Sequence, residues 1–102
     1  LVKQILIYWR DIPSQVVVQR GRKREKVQLS ARFQEAIDRA AMRAGKGGSD
    51  AYLSEWRRET SQVESDADLR EIAEQIAGRF EAEISDAALQ SLIKSHGNAS
   101  GQ

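Results

Sequence analysis

The sequence predicts an α+β fold: a two-layer sandwich with a three-stranded antiparallel sheet, helices on one face, and the element order β-β-α-β-α-α. Three observations carry this expectation. Residues 3–10 and 15–19 have the period-two alternation and β-branched content of strands. Residues 30–44 and 65–84 carry apolar stripes at helical spacing. The only proline, Pro13, lies between the first two apolar runs, where a short connection favours an antiparallel hairpin.

In chain order, Ile5, Ile7 and Trp9 share one face of the first strand, and Leu6 and Tyr8 the other. Both faces are apolar, so this strand belongs in the interior of the sheet. Residues 11–14 read as a turn, because Pro13 fixes its own φ and keeps Ile12 out of the helical region. The second strand is 15–19. The basic run 20–26 breaks the alternation and reads as a solvated loop or strand extension. Ser30 is placed to cap a helix running to about Ala44, with Phe33, Ile37, Ala40, Ala41 and Ala44 as its apolar stripe. Gly45 stops it, and 46–49 reads as a flexible link.

Residues 52–58 read as the third strand, with Tyr52, Ser54 and Trp56 on one face; a short helix competes for the same stretch. Ser65 then caps a second helix, whose stripe is Leu69, Ile72, Ile76, Phe80 and Ile84. Ser85 and Asp86 open a last short helix carrying Leu89, Leu92 and Ile93 and ending at Gly97. The expected organisation is one domain over 1–96 with a flexible tail at 97–102. Helices on one face only would leave the other sheet face partly open, an arrangement that suits a homodimer.

Composition narrows the function classes. With 102 residues, 40% hydrophobic and 30% charged, the chain suits one modest core of the soluble globular kind. No run approaches the roughly 18 apolar residues that a membrane span needs, so no membrane partner is expected. There is no signal-peptide pattern. The absence of cysteine removes disulfides, thiolate metal sites and thiol nucleophiles, and makes a cytoplasmic location the default expectation. The chain opens at Leu1, so residues or a domain preceding it are expected. Charge is uneven: residues 1–46 hold 11 Lys/Arg against 4 Asp/Glu, residues 47–102 hold 5 against 11. Such a split marks a basic binding face or two halves that attract each other.

No catalytic, metal or cofactor site is expected. His96 is the only histidine and sits at a helix end, where a cation suits the dipole. No serine lies in a nucleophile-elbow sequence. Residues 45–50 superficially resemble a phosphate loop but follow a helix and lack its spacing.

What remains is a pair of Trp-Arg clusters, Trp9-Arg10-Asp11 and Glu55-Trp56-Arg57. With Gln15, Arg20 and Arg22 they make a candidate surface for a protein partner of unknown identity, since Trp, Tyr and Arg dominate binding hot spots. Alternatively, Trp9 and Trp56 pack as a cross-strand pair, with Arg10 and Asp11 stiffening the turn. The basic run 20–26, with Tyr8, Trp9 or Trp56 nearby to stack bases, is the candidate for binding nucleic acid or a phosphorylated ligand.

Four blocks, at 8–16, 20–22, 29–42 and 50–58, carry in order Tyr-Trp-Arg-Asp-Ile-Pro, Arg-Gly-Arg, Leu-Ser-Ala-Arg-Phe-Gln-Glu-Ala-Ile and Asp-Ala-Tyr-Leu-Ser-Glu-Trp-Arg-Arg. They resemble the small bacterial virulence-factor domain, over about residues 3 to 80. Similar domains occur alone and beside HEAT-like helical repeats. The resemblance therefore implies a non-enzymatic interaction or regulatory accessory module and supplies no catalytic residues. It also implies, as another reading, an accessory role in folate or corrinoid methyl transfer.

Overall fold

The computed structural model describes residues 1–46 and 48–98, with Ser49 described by its backbone alone. Among them, β1 (Val2–Trp9), β2 (Ile12–Arg20), β3 (Lys23–Gln28) and β4 (Trp56–Val63) form one antiparallel sheet in the order β3-β2-β1-β4. The helices are α1 (Ala31–Arg43), α2 (Ser49–Leu53), α3 (Leu69–Glu83) and α4 (Asp86–Lys94).

The expected three-stranded sheet with order β-β-α-β-α-α is corrected to four strands and β-β-β-α-α-β-α-α. The additional strand is β3, cut from the basic run. Its alternation is carried by polar groups: Glu25 and Val27 turn one way, Arg24, Lys26 and Gln28 the other. An edge strand with one solvated face can do this without an apolar signature. The two-residue loop Gly21-Arg22 joins β2 to β3, with Gly21 at φ +60°, the conformation a primed hairpin turn asks of its first central residue. Residues 52–58 divide between both readings, the helix α2 first and then β4.

The first hairpin is tighter than a turn at 11–14. Trp9 pairs with Ile12, leaving only Arg10 and Asp11 as the loop, and Pro13 lies inside β2. The register shifts there, since Ile7 faces Gln15 while Tyr8 faces Pro13. A bulge is where a strand tolerates proline, because no ladder bond is asked of its nitrogen. The carbonyl of the extra residue, Ser14, accepts from the Leu29 N–H at 3.0 Å. Caps differ in detail. Asp68, not Ser65, caps α3 by accepting from the N–H groups of Arg70 and Glu71, while Ser85 Oγ caps α4 through Ala88 N–H as expected.

Helices α3 and α1 lie on β2, α3 extends over β3, and α4 packs on α1. One contiguous core joins Ile12, Val16 and Val18 of the sheet to Phe33, Ile37 and Ala40 of α1, Leu69 and Ala73 of α3, and Leu89 and Ile93 of α4. Which sheet face carries α3 follows from three contacts: Tyr8 meets Phe80 edge-on at 6.2 Å, Glu25 pairs with Arg70 at 3.5 Å, and Arg20 reaches the carbonyls of Ser65 and Ala67. The opposite face consists of three rows across the sheet: Arg24–Gln19–Lys3–Gln62, Lys26–Val17–Ile5–Thr60 and Gln28–Gln15–Ile7–Arg58. Val17 and Ile5, in its middle, are 0% and 9% exposed yet stand outside the contiguous core.

The α layer is fastened at the start of α1. Glu81 of α3 accepts from Ser30 N–H (2.7 Å) and Ser30 Oγ (2.9 Å), satisfying the start of α1 from another helix. Arg32 donates to the carbonyls of Glu81 (2.9 Å) and Ile84 (2.6 Å), so it closes the end of α3, and it pairs with Asp86 at the start of α4. Burial works to raise the pKa of Glu81, but the bonds from Ser30 and Arg32 outweigh it and hold the carboxyl below the ordinary glutamate value. A depressed folded value means the unfolded chain takes up the proton first. The stability this group contributes is complete above its unfolded pKa and drains as the pH falls through its folded one. Denaturant titrations from neutral pH to below pH 4 are expected to show that loss, and Glu81→Gln to flatten the acid limb. An acid limb unchanged by Glu81→Gln would remove this carboxylate from the account. The effect is small, since both ion-pair partners are partly solvated.

Candidate functional site

The nine residues expected to form a surface fall in two places. Seven of them (Trp9, Arg10, Asp11, Gln15, Glu55, Trp56 and Arg57) meet at the corner where the first hairpin faces the start of β4. Arg20 and Arg22 lie at the far end of β2, about 25 Å away along the strand. Arg20 is spent structurally, donating to the carbonyls of Ser65 (2.7 Å) and Ala67 (2.8 Å) and so holding the approach to α3. Arg22 is exposed in the β2–β3 turn.

Most of the corner is a latch. Trp9 pairs in register with Trp56, as a cross-strand pair should. Trp9 is fully buried, donates from Nε1 to the Tyr52 carbonyl (2.9 Å) and stacks on the Tyr52 ring at 5.9 Å, while Trp56 meets that ring edge-on at 5.8 Å. The two Trp-Arg clusters thus meet through one group of three rings, Trp9, Tyr52 and Trp56.

The charges interlock around it. Arg10, at φ 54°, takes a conformation non-glycine residues rarely hold, and its side chain shows what keeps it there. Nε pairs with Glu55 (3.1 Å), and Nη1 donates to the His96 carbonyl (2.8 Å). Asp11 accepts from Arg57 Nη2 (3.0 Å), and its N–H donates to the Gly97 carbonyl (2.8 Å). Arg57 also donates from Nε to the Arg10 carbonyl (2.6 Å) and lies 4.3 Å from the centre of the Tyr8 ring.

These contacts shift pKa values in the expected directions. The Arg10 guanidinium is the main reason the Glu55 carboxyl lies below its ordinary value, with Lys46 at 3.4 Å adding to it. Burial raises the Tyr8 phenol. Burial also works against the Arg57 cation, but its bonds to Glu59 and Asp11 prevail and raise it. The corner therefore fastens α2, β4 and the end of α4 to the first hairpin. His96 serves it through a backbone carbonyl.

Three residues of the expected surface do line an open feature. Gln15, Trp56 and Arg57, joined by Ile7 and Arg58, surround a hollow of about 270 Å³ at the edge of the uncovered sheet face. Gln15, one of the lining residues, has its Oε1 buried with no hydrogen-bond partner, the one such side-chain atom among the described residues. Buried acceptors are nearly always paired, which sets this one apart from the other buried polar atoms of the described residues. Arg58 is exposed and makes no ion pair among the described residues. A larger depression of about 420 Å³ lies between α1 and α4, with Met42 exposed beside it, but it has no such orphaned atom.

Sequence reasoning missed Ile7 and Arg58 as part of this site, and Lys3, Arg24 and Lys26 as members of the same face. The available signal was alternation: Arg24, Lys26 and Gln28 keep the period-two spacing of a strand.

Fold and site together define a two-layer α+β domain with cations spread over the sheet face opposite α3. The pattern of the family described as virulence factor matches residues 7–93, and the chain belongs to that family. Comparison with curated proteins and with solved structures gives no match. Among the described residues, no helix is long and apolar enough to cross a membrane.

Proposed function

We propose that this virulence-factor domain is a non-enzymatic protein-interaction module that binds its partner at the hollow lined by Ile7, Gln15, Trp56, Arg57 and Arg58. The observation that carries the reading is the orphaned Gln15 Oε1 beside a half-buried indole and an unpaired guanidinium. A polypeptide supplies what each lacks: an N–H for the amide, an apolar side chain for Trp56 and Ile7, and a carboxylate for Arg58. The rest of the expected surface, Trp9, Arg10, Asp11 and Glu55, supports the hollow from behind, and Arg20 and Arg22 lie outside it.

Site-specific crosslinking tests this. A photo-crosslinking residue at position 58 is expected to capture a discrete partner that the same residue at position 42 does not. Arg58→Glu, a change at an exposed side chain, is expected to abolish co-purification of that partner while circular dichroism stays unchanged. Equal capture from both positions, or co-purification indifferent to both Arg58→Glu and Trp56→Ala, would refute the reading.

A further inference from the structure

The uncovered face is unusual in its charge. Lys3, Arg24, Lys26 and Arg58 rise from three different strands, and the three rows contain no carboxylate. Among the described residues none of these four cations makes an ion pair, whereas Arg10, Arg32, Arg57 and Arg70 all do. The acidic groups Glu25 and Glu59 of β3 and β4 alternate to the helix side. Protection of a sheet edge would explain cations on β3 or β4. It does not explain Lys3, which stands on the interior strand β1.

The chemistry of the face favours one class of partner. Ile5 and Val17 are already buried although they stand outside the core under the helices. The middle of the face therefore presents charge and amide donors, and almost no free apolar area. Protein interfaces draw on an apolar centre, but a phosphate polymer needs cations and donors alone. The rows supply both: Arg24, Gln19, Lys3 and Gln62 stand about 4.8 Å apart across the strands, alternating cation and amide.

We infer that the open sheet face is a binding site for single-stranded nucleic acid, held through its phosphates by Lys3, Arg24, Lys26 and Arg58. The amides of Gln19 and Gln62 add hydrogen bonds to phosphate or sugar oxygens, and Trp56 at the end of the face stacks at most one base. Binding is thus weakly selective for sequence and strongly sensitive to salt.

Fluorescence anisotropy with labelled DNA and RNA oligonucleotides of about 16 nucleotides tests this. Four phosphate contacts predict an affinity that falls about 50-fold between roughly 50 and 200 mM salt; the double variant Arg24→Gln/Lys26→Gln is expected to fall only about 7-fold. Lys94→Gln, which removes a cation from α4, is expected to leave the salt slope unchanged. Tighter binding of RNA than DNA would add a contact to the 2′-hydroxyl; equal binding would place recognition on the phosphates alone, and either supports the site. No binding at the lower salt, a slope unaffected by the double variant, or equally tight binding of polyglutamate would overturn it, the last assigning the face to acidic polypeptides. The double variant leaves the hollow at Trp56 intact, so this result is independent of the crosslinking result.

Discussion

Trp9→Ala is expected to lower the unfolding free energy by about 3–5 kcal/mol, the range for deleting a buried aromatic side chain. That is a fifth or more of what a domain of this kind ordinarily has, roughly 5–15 kcal/mol. The cost has three sources on the same side chain. The indole is completely buried, it stacks on Tyr52, and its Nε1 holds the Tyr52 carbonyl. The Gly97 backbone sits directly against its ring, so the space left behind cannot close without moving the end of α4. Urea denaturation followed by circular dichroism measures the loss, and Trp9→Phe is expected to recover part of it. A loss below about 1 kcal/mol, the scale of a surface change, would mean that the latch does not bear on global stability.

Gly97→Val should be nearly as damaging, for a different reason. Gly97 has φ +89°, where a side chain is strained, and a Cβ built there would lie 3.0 Å from Trp9 Cζ3 and 3.3 Å from Arg10 Cβ. The left-handed backbone costs about 1–2 kcal/mol and the overlap about 1–3 more, because the indole in the way is rigid and fully enclosed. Gly21→Val separates the two contributions. Gly21 also has a positive φ, +60°, but nothing lies within 4 Å of its Cβ position, so only the backbone cost applies. Equal losses at the two positions would show that contact with Trp9 adds nothing.

These predictions concern a residue, Gly97, that reads as the start of a frayed tail. Residues 99–102 of that expected tail lie outside the described residues, as does Gly47 of the expected link. Gly97 itself is buried, because the partners that hold it, Asp11 and Trp9, are over 85 positions away in sequence, where no local signal reaches.

Elements whose pattern is hydrophobic were legible. The apolar faces of β1 placed it inside the sheet, and the stripe of Phe33, Ile37, Ala40 and Ala41 is the buried face of α1. Strand β3 was lost because its alternation is written in charge. The α3 stripe was partly misplaced: Ala73 and Ala77 are buried, while Ile76 and Phe80 are only partly so, since a helix close to a sheet buries its small residues. The tryptophan pair was legible as a pair. That its guanidinium neighbours would cross over, Arg10 to Glu55 and Arg57 to Asp11, depended on the register of β1 with β4.

The position of β1 has a consequence for how the chain reaches its native state. Of the four strands β1 is made first, and it is flanked by its nearest successor, β2, and by the last of the four, β4, which begins only at Trp56. Until β4 emerges, the Ile5-Leu6-Ile7 stretch presents an unpaired backbone edge of high β-propensity, the kind of segment that recruits other chains. A nascent chain that has not yet reached Val63 is therefore an aggregation hazard on the ribosome, and β4, polar along most of its length, is the piece that ends it.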